Sequence, residues 1–342
     1  MIDDPDRRAA LAAAKLGALV RSTWADADPA AASGSFPGGA VLTEPDGGRL
    51  WLFLEDAAVR RVGAALALAE RSGARELHLL VTDGPAAEVV ARRAALFADP
   101  PTVWHVDGAT VQAAVAAAPA TDPAPAPEAE LYRPVLIEAG LEVVAEGGHL
   151  LGEVLGLETA RVVVDERGAH IEAGVGRFDR EVAAMMFAHL GELDSLARAV
   201  ELVTAHRRAG EPRHPLNQLV PERWLRSVIV SRPELVGAQQ LHAVGSAVPR
   251  ANLKEAGVAT AVGTDLDGRP LVVTATTGVD LEAVPAAADD RLAHAPDARL
   301  VLAVPAADAL PVTTALAAHL RVPAEVVAIP GDWRSLLDDG RS

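Results

Sequence analysis

Two strings far apart in this chain read almost alike. Ala40-Val41-Leu42-Thr43-Glu44-Pro45-Asp46-Gly47-Gly48-Arg49-Leu50 lines up without a gap with Ala261-Val262-Gly263-Thr264-Asp265-Leu266-Asp267-Gly268-Arg269-Pro270-Leu271. Each sets an apolar run, an Asp-Gly pair and a second apolar run. Asp and Gly both tolerate positive φ, so each string predicts a β-hairpin. The segments that follow agree in order. The first string leads into strand 50–54, helix 59–71, strand 77–81, helix 86–97, strand 103–106 and a short last helix over 110–117. The second leads into strand 271–275, helix 281–292, strand 300–304, helix 312–320 and strand 325–329. Ala74-Arg75 and Ala298-Arg299 introduce matching strands. Duplication is one reading of this agreement. Two unrelated α/β stretches in an Ala-rich sequence is the other.

At 342 residues the chain exceeds one ordinary core. Four regions divide it: an N-terminal α/β module over 1–118, opened by an amphipathic helix at 7–21; a Pro/Ala linker over 119–130; a middle α+β domain over 131–235; and a C-terminal α/β module over 236–342. The linker is marked by Pro119, Pro123, Pro125 and Pro127, which disfavour helix. The middle region predicts a helix at 131–139, strands at 141–144, 162–164 and 169–173, and helices from 178, at 193–206 and at 221–230. The fold class is therefore α/β, or α+β overall, with two similar sheet-and-helix modules flanking a middle domain. Half the residues are hydrophobic but only 3% are aromatic, so the core has to be built from Ala, Val and Leu.

Charge narrows the partners. There are 31 basic against 47 acidic residues, a formal −16. Nucleic-acid backbones are bound by neutralising phosphates, so this balance disfavours nonspecific nucleic-acid binding. Lys occurs only at Lys15 and Lys254, and the Ala- and Arg-rich composition is that of a high-GC genome. With no Cys there are no disulfides, thiolate metal sites or Cys nucleophiles. The start of the chain lacks the apolar run of a signal peptide, and no apolar stretch is long enough for a membrane span. The expected location is the cytoplasm.

The order helix, hairpin, strand, helix, strand, helix, strand resembles the core of the PD-(D/E)XK nucleases, the restriction-endonuclease-like fold. The resemblance covers the first and last thirds of the chain and rests on element order. It implies an acidic residue near the hairpin, then a strand carrying an acid, a spacer and a Lys that hold a divalent metal and orient water. Here Asp46 and Asp267 sit in turns, which backbone geometry alone explains. The following strands read Leu52-Phe53-Leu54-Glu55-Asp56 and Val272-Val273-Thr274-Ala275-Thr276, with no Lys. The resemblance therefore implies two catalytically degenerate modules.

The middle region holds the densest polar pattern. Asp165 and Glu172 are candidate ligands for a Mg²⁺ ion, with Arg177 in the place of the usual Lys. Arg stabilises charge but is no base near neutral pH. Gly174-Val175-Gly176, followed by Arg177 and Arg180, offers backbone amides to an anion. A glycine-rich strand exit is the plainer reading of the same residues. Arg223 and Arg226 lie three apart on a helix beside Trp224 and can share a face that binds an acidic partner or stacks a base. A capped helix that buries Trp224, with its Arg residues paired to Glu222 or Glu234, is the plainer reading. No HExxH, G-x-S-x-G or P-loop string occurs. The leading expectation is a non-enzymatic scaffold whose partner is another protein, with a homodimer possible. The alternatives are a metal-dependent nuclease or phosphodiesterase sited in the middle domain, and a nucleotide or small-anion binder at the Gly174–Gly176 loop.

Overall fold

The strand that begins at Arg49 is apolar at every position from Leu50 to Leu54, so both its faces need covering. The computed structural model, which describes residues 5–28, 31–176, 191–211, 213–248, 252–255 and 257–340, shows how that is done. The fold is mixed α/β with three sheets, and the chain divides into two compact units.

The first unit comprises Met1–Pro119 together with Pro311–Pro323. Its sheet runs in the order β1 (Ala32–Phe36), β2 (Gly39–Thr43), β3 (Arg49–Leu54), β4 (Glu76–Val81), β5 (Thr102–Asp107), β6 (Thr110–Ala113). The β1–β3 neighbours are antiparallel, β3–β4 and β4–β5 parallel, and β5–β6 antiparallel. Alternation along β3 sorts its side chains. Leu50, Leu52 and Leu54 meet Val62, Ala65 and Val90 on one face. Trp51 and Phe53 meet Leu16, Leu19 and Val20 of the Pro5–Thr23 helix on the other. Gly39 is required where it stands, because a Cβ there would lie 1.7 Å from the Phe53 carbonyl oxygen.

Two boundaries differ from the sequence expectation. The predicted helix at 110–117 is instead strand β6. Asp107 pairs with Thr110 across a two-residue turn, and β-branched Thr110 and Val111 suit the returning strand. The Pro311–Ala318 helix lies between two C-terminal strands in sequence but belongs to the first unit. There Phe97 bridges Leu320, and the Arg321 amide donates to the Leu96 carbonyl at 2.8 Å.

The second unit, Ala120–Leu310 with Ala324–Ser342, joins the middle and C-terminal regions that the sequence separates. An antiparallel sheet runs β10 (Gly168–Ala173), β9 (Leu157–Asp165), β8 (His149–Val154), β7 (Glu142–Glu146). A second sheet runs β11 (Ala238–Val244), β12 (Ala259–Asp265), β13 (Pro270–Ala275), β14 (Arg299–Pro305), β15 (Glu325–Ile329). Its first three strands are antiparallel and its last three parallel. The linker is part of this fold. Pro127–Glu130 forms a helical turn with Ala129 buried, and Asp122 accepts a hydrogen bond from the Gly147 amide at 2.7 Å. The Pro221–Ser231 helix packs Trp224, Leu225, Val228 and Ile229 over Leu271, Val273 and Val301. Gly156, with φ +75°, lets the β8–β9 turn press on that helix, where a Cβ would lie 2.2 Å from the Arg223 carbonyl carbon.

Candidate functional site

The β9–β10 register separates the two candidate metal ligands. Asp165 pairs with Gly168, and Glu172 with Arg161, four rungs further along. At 3.3 Å per residue they stand about 13 Å apart, too far to share an ion. Asp165 is engaged instead by Arg167, through the backbone amide at 2.8 Å and the guanidinium at 2.8 and 3.1 Å, which holds its carboxyl below the usual range. Among the described residues no group of three or more His, Asp or Glu side chains has an arrangement that would hold a metal ion. The Gly174 amide is committed to the Thr159 carbonyl at 2.8 Å. Gly176 has φ +73° with Leu253 beside it. Arg177 and Arg180 lie outside the described residues.

Arg223, Trp224 and Arg226 do come together, but facing inward. All three are buried, so neither base stacking nor an external acidic partner is open to them. Nor are their partners Glu222 and Glu234. Arg223 binds Glu153 at 2.8 Å and Glu146 at 2.5 and 2.7 Å, and Arg226 binds the other Glu153 oxygen. Burial opposes the Arg223 charge, yet Glu153 and Glu146 outweigh it and raise the pKa further. Ser227 donates to Glu142 at 2.7 Å, and burial pushes the Glu142 carboxyl up. Arg207 lies 4.8 Å over the Trp224 ring and donates to the carbonyls of Leu155, Leu216 and Leu219. Burial brings its pKa down to about 9. This cluster joins the Pro221–Ser231 helix to β7 and β8 and is structural.

A second polar–aromatic cluster lies in the first unit. Trp24, Trp51 and Trp104 surround His78 with ring centroids 5.4, 5.6 and 6.2 Å from the imidazole. The Trp104 indole donates to His78 Nδ1 at 3.2 Å, which fixes the tautomer, and burial lowers the His78 pKa. In the sequence these residues look like isolated members of apolar strands. The missed signal is that three of the chain's five Trp residues meet through ladder positions of β3, β4 and β5 and the end of the first helix.

An outward-facing feature of the second unit is a groove of about 570 Å³ between the Arg133–Glu138 and Glu192–His206 helices. The longer helix carries two apolar stripes. Leu196 and Val203 are buried against the antiparallel sheet. Leu193, Ala197, Val200 and Thr204, at i, i+4, i+7 and i+11, line the groove together with Leu196, and Val200 also packs against that core. Leu193 is 62% exposed. Val135 and Ala139 form the opposite wall, with Glu138 and Glu201 on the rim. Neither rim carboxylate has an ion-pair partner among the described residues. The sequence shows the longer helix but not its second stripe, because which positions the sheet covers depends on tertiary packing.

Comparison with family models, with curated proteins and with solved structures gives no match.

Proposed function

We propose that this chain is a non-enzymatic interaction protein that seats another protein in the groove between the Arg133–Glu138 and Glu192–His206 helices. The carrying observation is the outward apolar stripe Leu193, Ala197, Val200 beside two carboxylates that no described cation neutralises. An open groove between two helices suits a segment of protein chain better than a small molecule, which needs most of its surface enclosed. The reading takes a cytoplasmic setting, and among the described residues no helix is long and apolar enough to cross a membrane. The shared order and direction of β1–β5 and β11–β15 support duplication of one module. The nuclease alternative has less behind it, because Asp165 is held by Arg167 and lies four rungs from Glu172.

The test is a photo-crosslinking residue at Thr204, on the groove rim, with a control at Leu266 in the β12–β13 turn. In cell extract the reading expects a discrete protein adduct from Thr204 only, its yield cut by Ala197→Arg. An adduct indifferent to Ala197→Arg, or none, removes the reading. Cleavage of labelled DNA or RNA with Mg²⁺ or Mn²⁺, abolished by Asp165→Ala with Glu172→Ala, would replace it with the nuclease.

A further inference from the structure

Resting on that reading, we infer that the occupant of the groove is a basic amphipathic helix. The walls are themselves helical. Val135 and Ala139 on one side, and Leu193, Ala197 and Val200 on the other, present side chains at four- and three-residue spacings. Such rows accept a third helix whose apolar residues recur at i, i+4 and i+7. Ala139 and Ala197 are the smallest lining residues and leave room for a large side chain from that helix. The rim fixes its charge. Glu138 and Glu201 flank the apolar floor, and neither is paired among the described residues. A helix seated between them brings Lys or Arg against both carboxylates, while an acidic helix would bury like charges together. The formal −16 of each copy also opposes the approach of a second copy of this chain.

The experiment uses the full chain and two labelled synthetic helices with the same Leu pattern, one filled with Lys and the other with Glu, read by fluorescence anisotropy. The Leu/Lys helix should bind saturably at one per chain. Ala197→Arg, which blocks the floor, should weaken it at least tenfold, as should the Glu138→Lys, Glu201→Lys pair. That pair should also let the Leu/Glu helix bind. All three positions are exposed, so these variants keep the fold, as thermal melts will verify. Leu/Lys binding that ignores both variants would overturn the inference, because it would reflect general attraction to an acidic surface. Preference of the native chain for the Leu/Glu helix would overturn it too. So would a dimer dissolved by Ala197→Arg. A Thr204 adduct with a partner segment that is acidic or not helical would sink this inference and leave the interaction reading standing. No adduct would sink both.

Discussion

The two hairpin-led sheets follow one backbone plan and fill it differently. In both, three antiparallel strands are followed by two parallel ones, with a helix ahead of the first strand. The ladders give the true correspondence. Thr43 pairs with Leu50 across residues 44–49, whereas Thr264 pairs with Pro270 across 265–269. The second turn is one residue shorter, so Arg49 matches Arg269 and Trp51 matches Leu271. By the same ladders His78 matches Arg299 and Trp104 matches Glu325. A diagonal contact is made in both places. The Trp104 indole meets His78 at 3.2 Å in one, and Arg299 meets Glu325 at 2.9 Å in the other. The leading helices differ more. Pro5–Thr23 buries one stripe, while Pro221–Ser231 buries every residue from Glu222 to Ile229. Its apolar face meets β11–β13, and its polar face meets Glu153 and Glu146 of the antiparallel sheet. The lesson is that a shared strand plan does not fix the side-chain chemistry. What each helix has to face on its far side does.

The sharpest test of that difference is Glu153→Ala. Removal leaves Arg223 and Arg226 buried without a shared carboxylate, which costs about 3–5 kcal/mol. Hydrogen exchange should lose protection across β8 and β13 and leave β3 and β4 unchanged. Equal loss in both sheets would deny that the ion cluster belongs to one of them. Next in size is Leu320→Ala, at about 2–5 kcal/mol for a buried Leu. Although Leu320 lies between β14 and β15 in sequence, its loss should deprotect β3–β5. Loss confined to β14 and β15 would return that helix to the C-terminal module.

Much of the strand plan was legible because Asp-Gly turns and apolar runs are local signals. The hairpins, β4, β5, β14 and β15 follow from them. Strand β8 was not legible, since Gly147-Gly148, Gly152 and Glu153 interrupt its pattern, and Glu153 is there for two Arg residues some seventy positions on. The gapless match of the two strings hid the shorter second turn, because sequence identity at Asp-Gly says nothing of ladder register. At the candidate site, the spacing of Arg223 and Arg226 correctly placed them on one face. Which way that face points is a tertiary fact.

The two units should also respond oppositely to mild acid. Burial lowers the His78 pKa, with Glu76, Arg49 and Glu44 as the neighbouring charges. As pH falls below about 6.5 the unfolded chain takes a proton that folded His78 refuses, so the first unit loses stability. Asp290 has the other sign. Burial raises its carboxyl to about 6, against hydrogen bonds from Thr260, the Ala247 amide and Ser246 and the nearby charge of His294. Below that pH the folded form keeps a proton that the unfolded chain releases, so the second unit gains about 1 kcal/mol between pH 7 and pH 5. Burial of Glu142 acts in the same direction. Hydrogen exchange at pH 7 and pH 5, corrected for intrinsic rates, should show protection falling in β3–β5 and rising in β12–β14. His78→Gln, which keeps an acceptor for the Trp104 indole, should remove the first change, and Asp290→Asn the second. Parallel changes in both units would break the contrast.

The smallest effect is expected at the matched diagonal itself. Arg299 and Glu325 are 38% and 57% exposed, so their ion pair is screened by water and salt. Glu325→Ala should cost at most about 1 kcal/mol, and nothing measurable in 1 M salt. Trp104, by contrast, packs against Trp24 with ring centroids 5.2 Å apart and bonds His78. Its truncation removes apolar contact that salt does not weaken. Urea unfolding of both variants at low and high salt checks the pair. A salt-insensitive cost at Glu325 would mean that the second sheet holds this corner by packing too, and that the matched positions do the same work by different residues.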